Sequence, residues 1–247
     1  MANDSDAADF TEENYRGIIV RARERYAFEP FGTELAEAHV LWRHDVDFSV
    51  HRALRLAEIE AEEGVSSTYL FSLRGPFYSL LEAEVASRAR AIAGLGHWLG
   101  LHFNTGAYGG IASEAELQEQ LSFERRLLSE LTENPIDVLS FHNPGATGAD
   151  GFDAERLGGM VNAYGSTVRE RYTYISDSNG YWRHERLPDV IDSGEHDRLH
   201  VLTHPEWWQR SPMSPRERLE RCLEGRADHS REWYEGPVRA AGRHTPT

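Results

Sequence analysis

The chain has 247 residues, is 40% hydrophobic, and carries 41 acidic against 26 basic side chains for a formal charge of −15. That is enough for a buried core in one large domain. It excludes disorder or a coiled coil as the overall state and argues against duplexes or anionic membranes as partners. Every basic residue is Arg and the single cysteine is Cys222, which excludes lysine Schiff bases and nucleophiles, the phosphate-loop Lys, internal disulfides, thiolate zinc knuckles and iron–sulfur clusters.

In chain order, residues 1–9 read as a frayed polar tail, and Thr11 caps a helical pattern of Tyr15, Ile18, Ile19 and Ala22. The apolar, β-prone stretch 39–44 predicts a buried strand ending at Asp45, and Ser49 opens a helix that stops at Gly64. Strands follow over 67–71, 97–103, 137–141, 172–176 and 199–203. Between them lie helices over 79–93, from Ser113 to about residue 131, and over 152–164; a capping box at Ser214 opens a last one through Leu223. This alternation implies crossover connections and a largely parallel sheet, and about seven strands without a linker favour a barrel. The fold class is therefore α/β, a distorted (β/α)7-type barrel in a single domain. A disordered tail is expected over 1–10, the barrel over 11–225 and a C-terminal extension over 226–247. The N-terminus is acidic where a leader would be basic, and no apolar run approaches the ~18 residues of a membrane span, so a cytoplasmic protein is expected.

Polar residues collect at the strand ends: Asp45 and Asp47, His102 and Asn104, His142, Asp177, and His204. Strand ends of a parallel barrel open onto one mouth, and alternation puts Asp45 with Asp47, and Gly100 with His102 and Asn104, on common faces, while His97 points elsewhere. Two or three of these residues suit a divalent ion, most naturally zinc, with iron, cobalt, nickel or manganese also compatible. Asn104, Asp177, Trp182 and Trp207 are the expected substrate contacts. His51, His184, His196, His229 and His244 read as surface or structural. No dinucleotide loop or serine-nucleophile elbow is present.

Taken jointly, Arg43-His44-Asp45-Val46-Asp47, the stretch Gly96 to Phe103, Phe141-His142-Asn143-Pro144-Gly145, the stretch Tyr174 to Arg183, and Leu202-Thr203-His204-Pro205-Glu206-Trp207-Trp208 resemble a divergent branch of the polysaccharide deacetylase superfamily. The resemblance implies metal-dependent removal of an acyl group from an amide nitrogen, usually on an acetylated amino sugar. By position it makes Asp45 the general base, Asp47 the carboxylate ligand, His102 the first of a paired-His motif and His204 the general acid. The second paired His falls on Gly106, and the usual base-positioning Arg falls on His142. His142 is therefore expected to complete an Asp47, His102, His142 site, with Asn104 as the alternative. The expected substrate is an amino sugar, a nucleotide-linked sugar or a similar small N-acyl metabolite; hydrolysis of a non-sugar, ureide-like amide and a catalytically inactive carbohydrate-binding barrel are the alternatives.

Overall fold

A computed structural model describes residues 4–33, 37–147 and 151–243. After two helices, α1 (Asp4–Asp9) and α2 (Glu12–Arg23), and a short strand β1 (Ala27–Phe28), the chain alternates between strand and helix. The order is β2 (His39–Val46), α3 (Val50–Glu62), β3 (Thr68–Phe71), α4 (Ala83–Gly94), β4 (Trp98–Phe103), α5 (Glu114–Thr132), β5 (Val138–Phe141) and α6 (Pro144–Thr147). The second half holds β6 (Arg156–Leu157), β7 (Met160–Asn162), α7 (Ser166–Arg171), β8 (Thr173–Ser176), α8 (Leu187–Ser193), β9 (Arg198–Thr203) and α9 (Pro215–Ala240). The strands form one curled sheet in the order β6-β7-β5-β4-β3-β2-β9-β8, with β1 paired to β2 off this path, and parallel except for the β6–β7 pair. It is the expected distorted α/β barrel; the strand-pairing path is open between β6 and β8.

All eight residues of β2 are buried, as the central strand of a sheet covered on both faces should be. Leu41 joins Leu70, Val138 and Phe31 in the cluster inside the curl, whereas Val40 and Trp42 pack outward with Tyr15, Ile18 and Leu56 of the covering helices. The inner space is tight. A Cβ on Gly100 would lie 2.8 Å from both the Val138 side chain and its carbonyl oxygen, so only glycine fits at this point of β4.

A buried polar hub joins the helices to the sheet. Glu60 of α3 accepts hydrogen bonds from the hydroxyls of Tyr15, Ser67 and Tyr69, pairs with His44 Nε2 at 2.7 Å and lies 3.5 Å from His97 Nδ1. Burial raises this carboxyl, but His44 and His97 outweigh it and hold Glu60 down at about 2. His97 thus points away from the mouth, as its spacing from His102 requires.

Four stretches differ from the expectations. Residues 152–164 form the β6–β7 hairpin in place of a helix, because Gly158 and Gly159 both adopt positive φ (57° and 77°) and make a two-residue turn that pairs Leu157 with Met160. Residues 4–9 of the expected tail are helical: Phe10 is fully buried and Asp9 pairs with Arg186 at 2.6 and 2.7 Å. Residues 1–3 of that tail, and His244, lie outside the described residues. The boundary at 225 falls inside α9, which runs on to Ala240 with ion pairs such as Arg231–Asp228 and Arg239–Glu235 along an otherwise exposed surface. The helix expected from residue 79 starts at Ala83.

His200 of β9 is 3% exposed and its Nε2 has no hydrogen-bond partner among the described residues. Burial, together with the Arg43 charge, pushes its imidazole well below the ordinary histidine range. The unfolded chain therefore binds a proton below about pH 6.5 that the native state refuses, and His200 costs stability as pH falls through that value. Replacing it should flatten this loss. In chemical denaturation from pH 7 to 5, His200→Leu is expected to gain on the native protein by up to about 1.4 kcal/mol per pH unit below 6.5; a pH-independent difference would refute the assignment.

Candidate metal centre

Strand alternation sends Arg43 and Asp45 of β2 to the inside of the curl, and Asp47 follows just past the strand end. His102 comes from the end of β4. His142 follows β5 directly, where its backbone N–H donates to the Phe103 carbonyl at 2.9 Å, and Asn143 turns the chain away at φ 46°. Asp177 and His204 follow β8 and β9. Residues nearly 160 positions apart in sequence thus reach one mouth.

Three donors meet there. Asp47 Oδ1 lies 3.2 Å from His102 Nε2 and 3.2 Å from His142 Nδ1, and the two imidazole nitrogens are 3.1 Å apart. Ligands about 2.0–2.1 Å from a tetrahedral ion are about 3.3 Å from each other, so the three side chains fit one such ion. Ser140 fixes the state of His102: its hydroxyl lies 2.6 Å from Nδ1 and donates to Asp45 Oδ1 at 3.1 Å. His102 Nδ1–H then donates to the Ser140 oxygen, and the lone pair of Nε2 faces the other ligand atoms. His142 is the rim member, 32% exposed against 2% for His102. Burial raises the Asp47 carboxyl, but His102, His142 and His204 outweigh it and hold the group well below the usual carboxylate range. The Asp47 hydrogen bond in turn raises His142 against its burial.

Asp45, the expected general base, lies beneath this cluster. It is 2% exposed, and its Oδ2 faces Arg43 Nη2 at 3.4 Å and His102 Nδ1 at 3.5 Å while Oδ1 accepts from Ser140. Both oxygens are engaged below the ring, where Asp45 orients His102. Arg43 is fully buried, donates to Tyr164 at 2.7 Å and stacks over that ring at 4.6 Å. Asp177, expected to touch substrate, is fully buried: it accepts from His204 Nδ1 at 2.6 Å, from the His204 backbone and from Trp208 Nε1 at 2.9 Å. It therefore orients His204, whose other nitrogen points to Asp47 Oδ2 at 4.0 Å. Burial lowers the His204 imidazole, but Asp177 and Asp47 carry it up to about 10.

The remaining residues are placed as follows. Asn104 is outside the donor cluster: its Oδ1 caps the following turn through the Gly106 N–H, and its amide donates to the Arg74 carbonyl. Trp182 packs against Phe10 and Trp208, with its N–H toward Asp9. Trp207 is 8% exposed and lies against Phe48 and Gly180. Ser140, Tyr164 and Glu206 were not foreseen as site residues. Glu206 is 1% exposed with neither oxygen hydrogen-bonded among the described residues, and burial, with the Asp47 charge adding to it, pushes its carboxyl far up. Its place beside the His204 motif was the only sequence signal for it.

No protein-family model and no curated sequence matches the chain. Among solved structures it is similar to the catalytic domain of a peptidoglycan N-acetylglucosamine deacetylase from Eubacterium rectale, at 14% identity over 80% of this chain and 87% of that one, with a TM-score of 0.47. It is also similar to a CE4 family pseudoenzyme from Bacillus anthracis (17% identity, 79% and 63% covered, TM-score 0.42). A third is a family 4 acetyl xylan esterase from Clostridium thermocellum in complex with a cobalt ion (12% identity, 76% and 84% covered, TM-score 0.42). The chain spans a little under two thirds of the pseudoenzyme's length. No helix among the described residues is long and apolar enough to cross a membrane.

Metal titration of purified variants checks the donor set. Asp47→Ala and His142→Ala are each expected to weaken zinc binding by about 100-fold or more, since loss of an outer-shell partner alone typically costs 10–100-fold. Asn104→Ala should leave it unchanged; the reverse pattern would make Asn104 the third ligand.

Proposed function

We propose that the protein is a divalent-metal-dependent hydrolase that removes an acyl group, acetyl in the simplest case, from the nitrogen of an amino sugar or a related small N-acyl compound. The observation that carries this reading is the convergence of Asp47, His102 and His142 within ion-sharing distance, beside a His204 backed by the buried Asp177. The two-imidazole, one-carboxylate donor set suits zinc, with iron, cobalt, nickel and manganese compatible. When bound, the ion supplies Lewis acidity toward the amide carbonyl and the attacking water.

The chain's own residues do the rest. Asp45 and Ser140 hold His102 in one tautomer, and Arg43 with Tyr164 holds Asp45. His204 Nε2 faces the donor cluster and, already protonated, gives that proton to the departing nitrogen, while the proton shed by the adding water returns to the same imidazole. Water adds to the carbonyl carbon, the C–N bond breaks, and a carboxylic acid and an amine leave. Asp177 keeps the imidazole aimed and stabilises its protonated form. The amino-sugar assignment rests on the motif resemblance.

Amine release from N-acetyl sugars and from simple amides by the zinc-loaded protein tests the activity. His204→Gln is expected to lower kcat by about 10²- to 10⁴-fold with zinc affinity unchanged. Asp45→Asn is expected to weaken zinc binding by about 10- to 100-fold and to regain turnover at saturating zinc. Native zinc affinity with lost turnover in Asp45→Asn would instead make Asp45 the base, and no amine release from any amide by metal-replete protein would refute the hydrolase.

A further inference from the structure

A cavity of about 520 Å³ begins one residue beyond Asp47, at Phe48. It lies between the start of α3, α4 and the middle of α9, and six arginines line it: Arg52, Arg55, Arg88, Arg210, Arg221 and Arg226. His51 and His229 line it too, and no carboxylate does. In a chain with 41 acidic residues to 26 arginines, such a wall is opposite to the average surface.

Carboxylates that do not line the cavity tether four of these arginines. Glu12 binds Arg52 and Arg55, Glu58 also binds Arg55, Glu84 binds Arg88 and Glu82 binds Arg226. Each such pair engages one or two of the five N–H groups of a guanidinium and fixes its plane, leaving donors for an occupant. The Arg221 side chain has no hydrogen-bond or ion-pair partner among the described residues. Cations also crowd one another here: the Arg52 guanidinium is lowered by burial, with Arg221 adding to the effect, and the His51 imidazole is lowered by burial and by Arg88. Six guanidinium groups against the four carboxylates hydrogen-bonded to them leave the cleft with an excess of positive charge, which a multiply charged anion relieves.

We propose that this cleft binds a phosphate-bearing polyanion of diphosphate size. Guanidinium groups supplied by three helices match several phosphate oxygens at once, whereas a single carboxylate needs only one bidentate arginine and would leave most of this volume unfilled. Phe48, which follows Asp47 in sequence, and Phe77 line the cavity in ring contact at 4.2 Å. The proposal stands whether or not the metal centre hydrolyses amides.

Calorimetric titration of the full chain with inorganic pyrophosphate tests it. The native protein should bind, with affinity falling as salt rises. The exposed pair Arg210→Ser/Arg221→Ser should weaken binding by about tenfold or more, with zinc affinity at the metal centre unchanged. Asp47→Ala should bind pyrophosphate as the native protein does. Absence of binding, binding indifferent to the arginine changes, or binding lost in Asp47→Ala would each overturn the proposal, the last by placing the anion on the metal centre. Circular dichroism confirms that each variant is folded before it is scored.

Discussion

One buried carboxylate decides which way the central strand faces. Glu60 holds His44 from the helix side while Thr203 of β9 holds the same ring from Nδ1 at 2.9 Å. Side chains alternate along a strand, so fixing His44 outward fixes Arg43 and Asp45 inward; a slip of one residue would turn all of them over. Removing either partner would leave a buried polar group unmatched, a cost of several kcal/mol that the slipped register would incur. The candidate centre therefore rests on a contact made on the opposite face of the sheet.

From that strand inward the polar side chains form a continuous chain. Tyr164, Arg43, Asp45, Ser140 and His102 are linked in succession, and His102 reaches the Asp47–His142 pair. A second chain, Trp208 to Asp177 to His204, approaches the same point from β8 and β9. Each places a carboxylate behind an imidazole, so both rings have a defined proton position before any ligand arrives. The arrangement is preorganised.

Much of this was legible from residue types alone. The two-residue period over 43–47 and 100–104 gave the facing of Asp45, Asp47 and His102, and the strand-then-polar pattern gave the common mouth. What alternation could not give was depth. Asp45 and Asp47 share a face, yet one is buried under His102 and the other reaches the rim, a difference set by where the strand ends. Tyr164 was hidden because residues 152–164 carry enough apolar residues at helical spacing to mask the Leu-Gly-Gly-Met turn. Asp177 looked like a ligand-facing group for the same reason as Asp47, and only the Trp208 and His204 partners distinguish it. The arginine cleft was invisible in sequence because α3, α4 and α9 supply it from positions 52 to 226.

The open pairing path has its own implication for colloidal behaviour. A sheet with free borders invites chain-to-chain templating, and a long flat border is the hazard. Here one border is β6, two residues long and reversed in direction by the Gly158–Gly159 turn, so it offers an incoming strand too few backbone groups to propagate a fibril. The other, β8, is four residues long. Incomplete closure leaves the molecule with borders, and their brevity keeps them from becoming seeds.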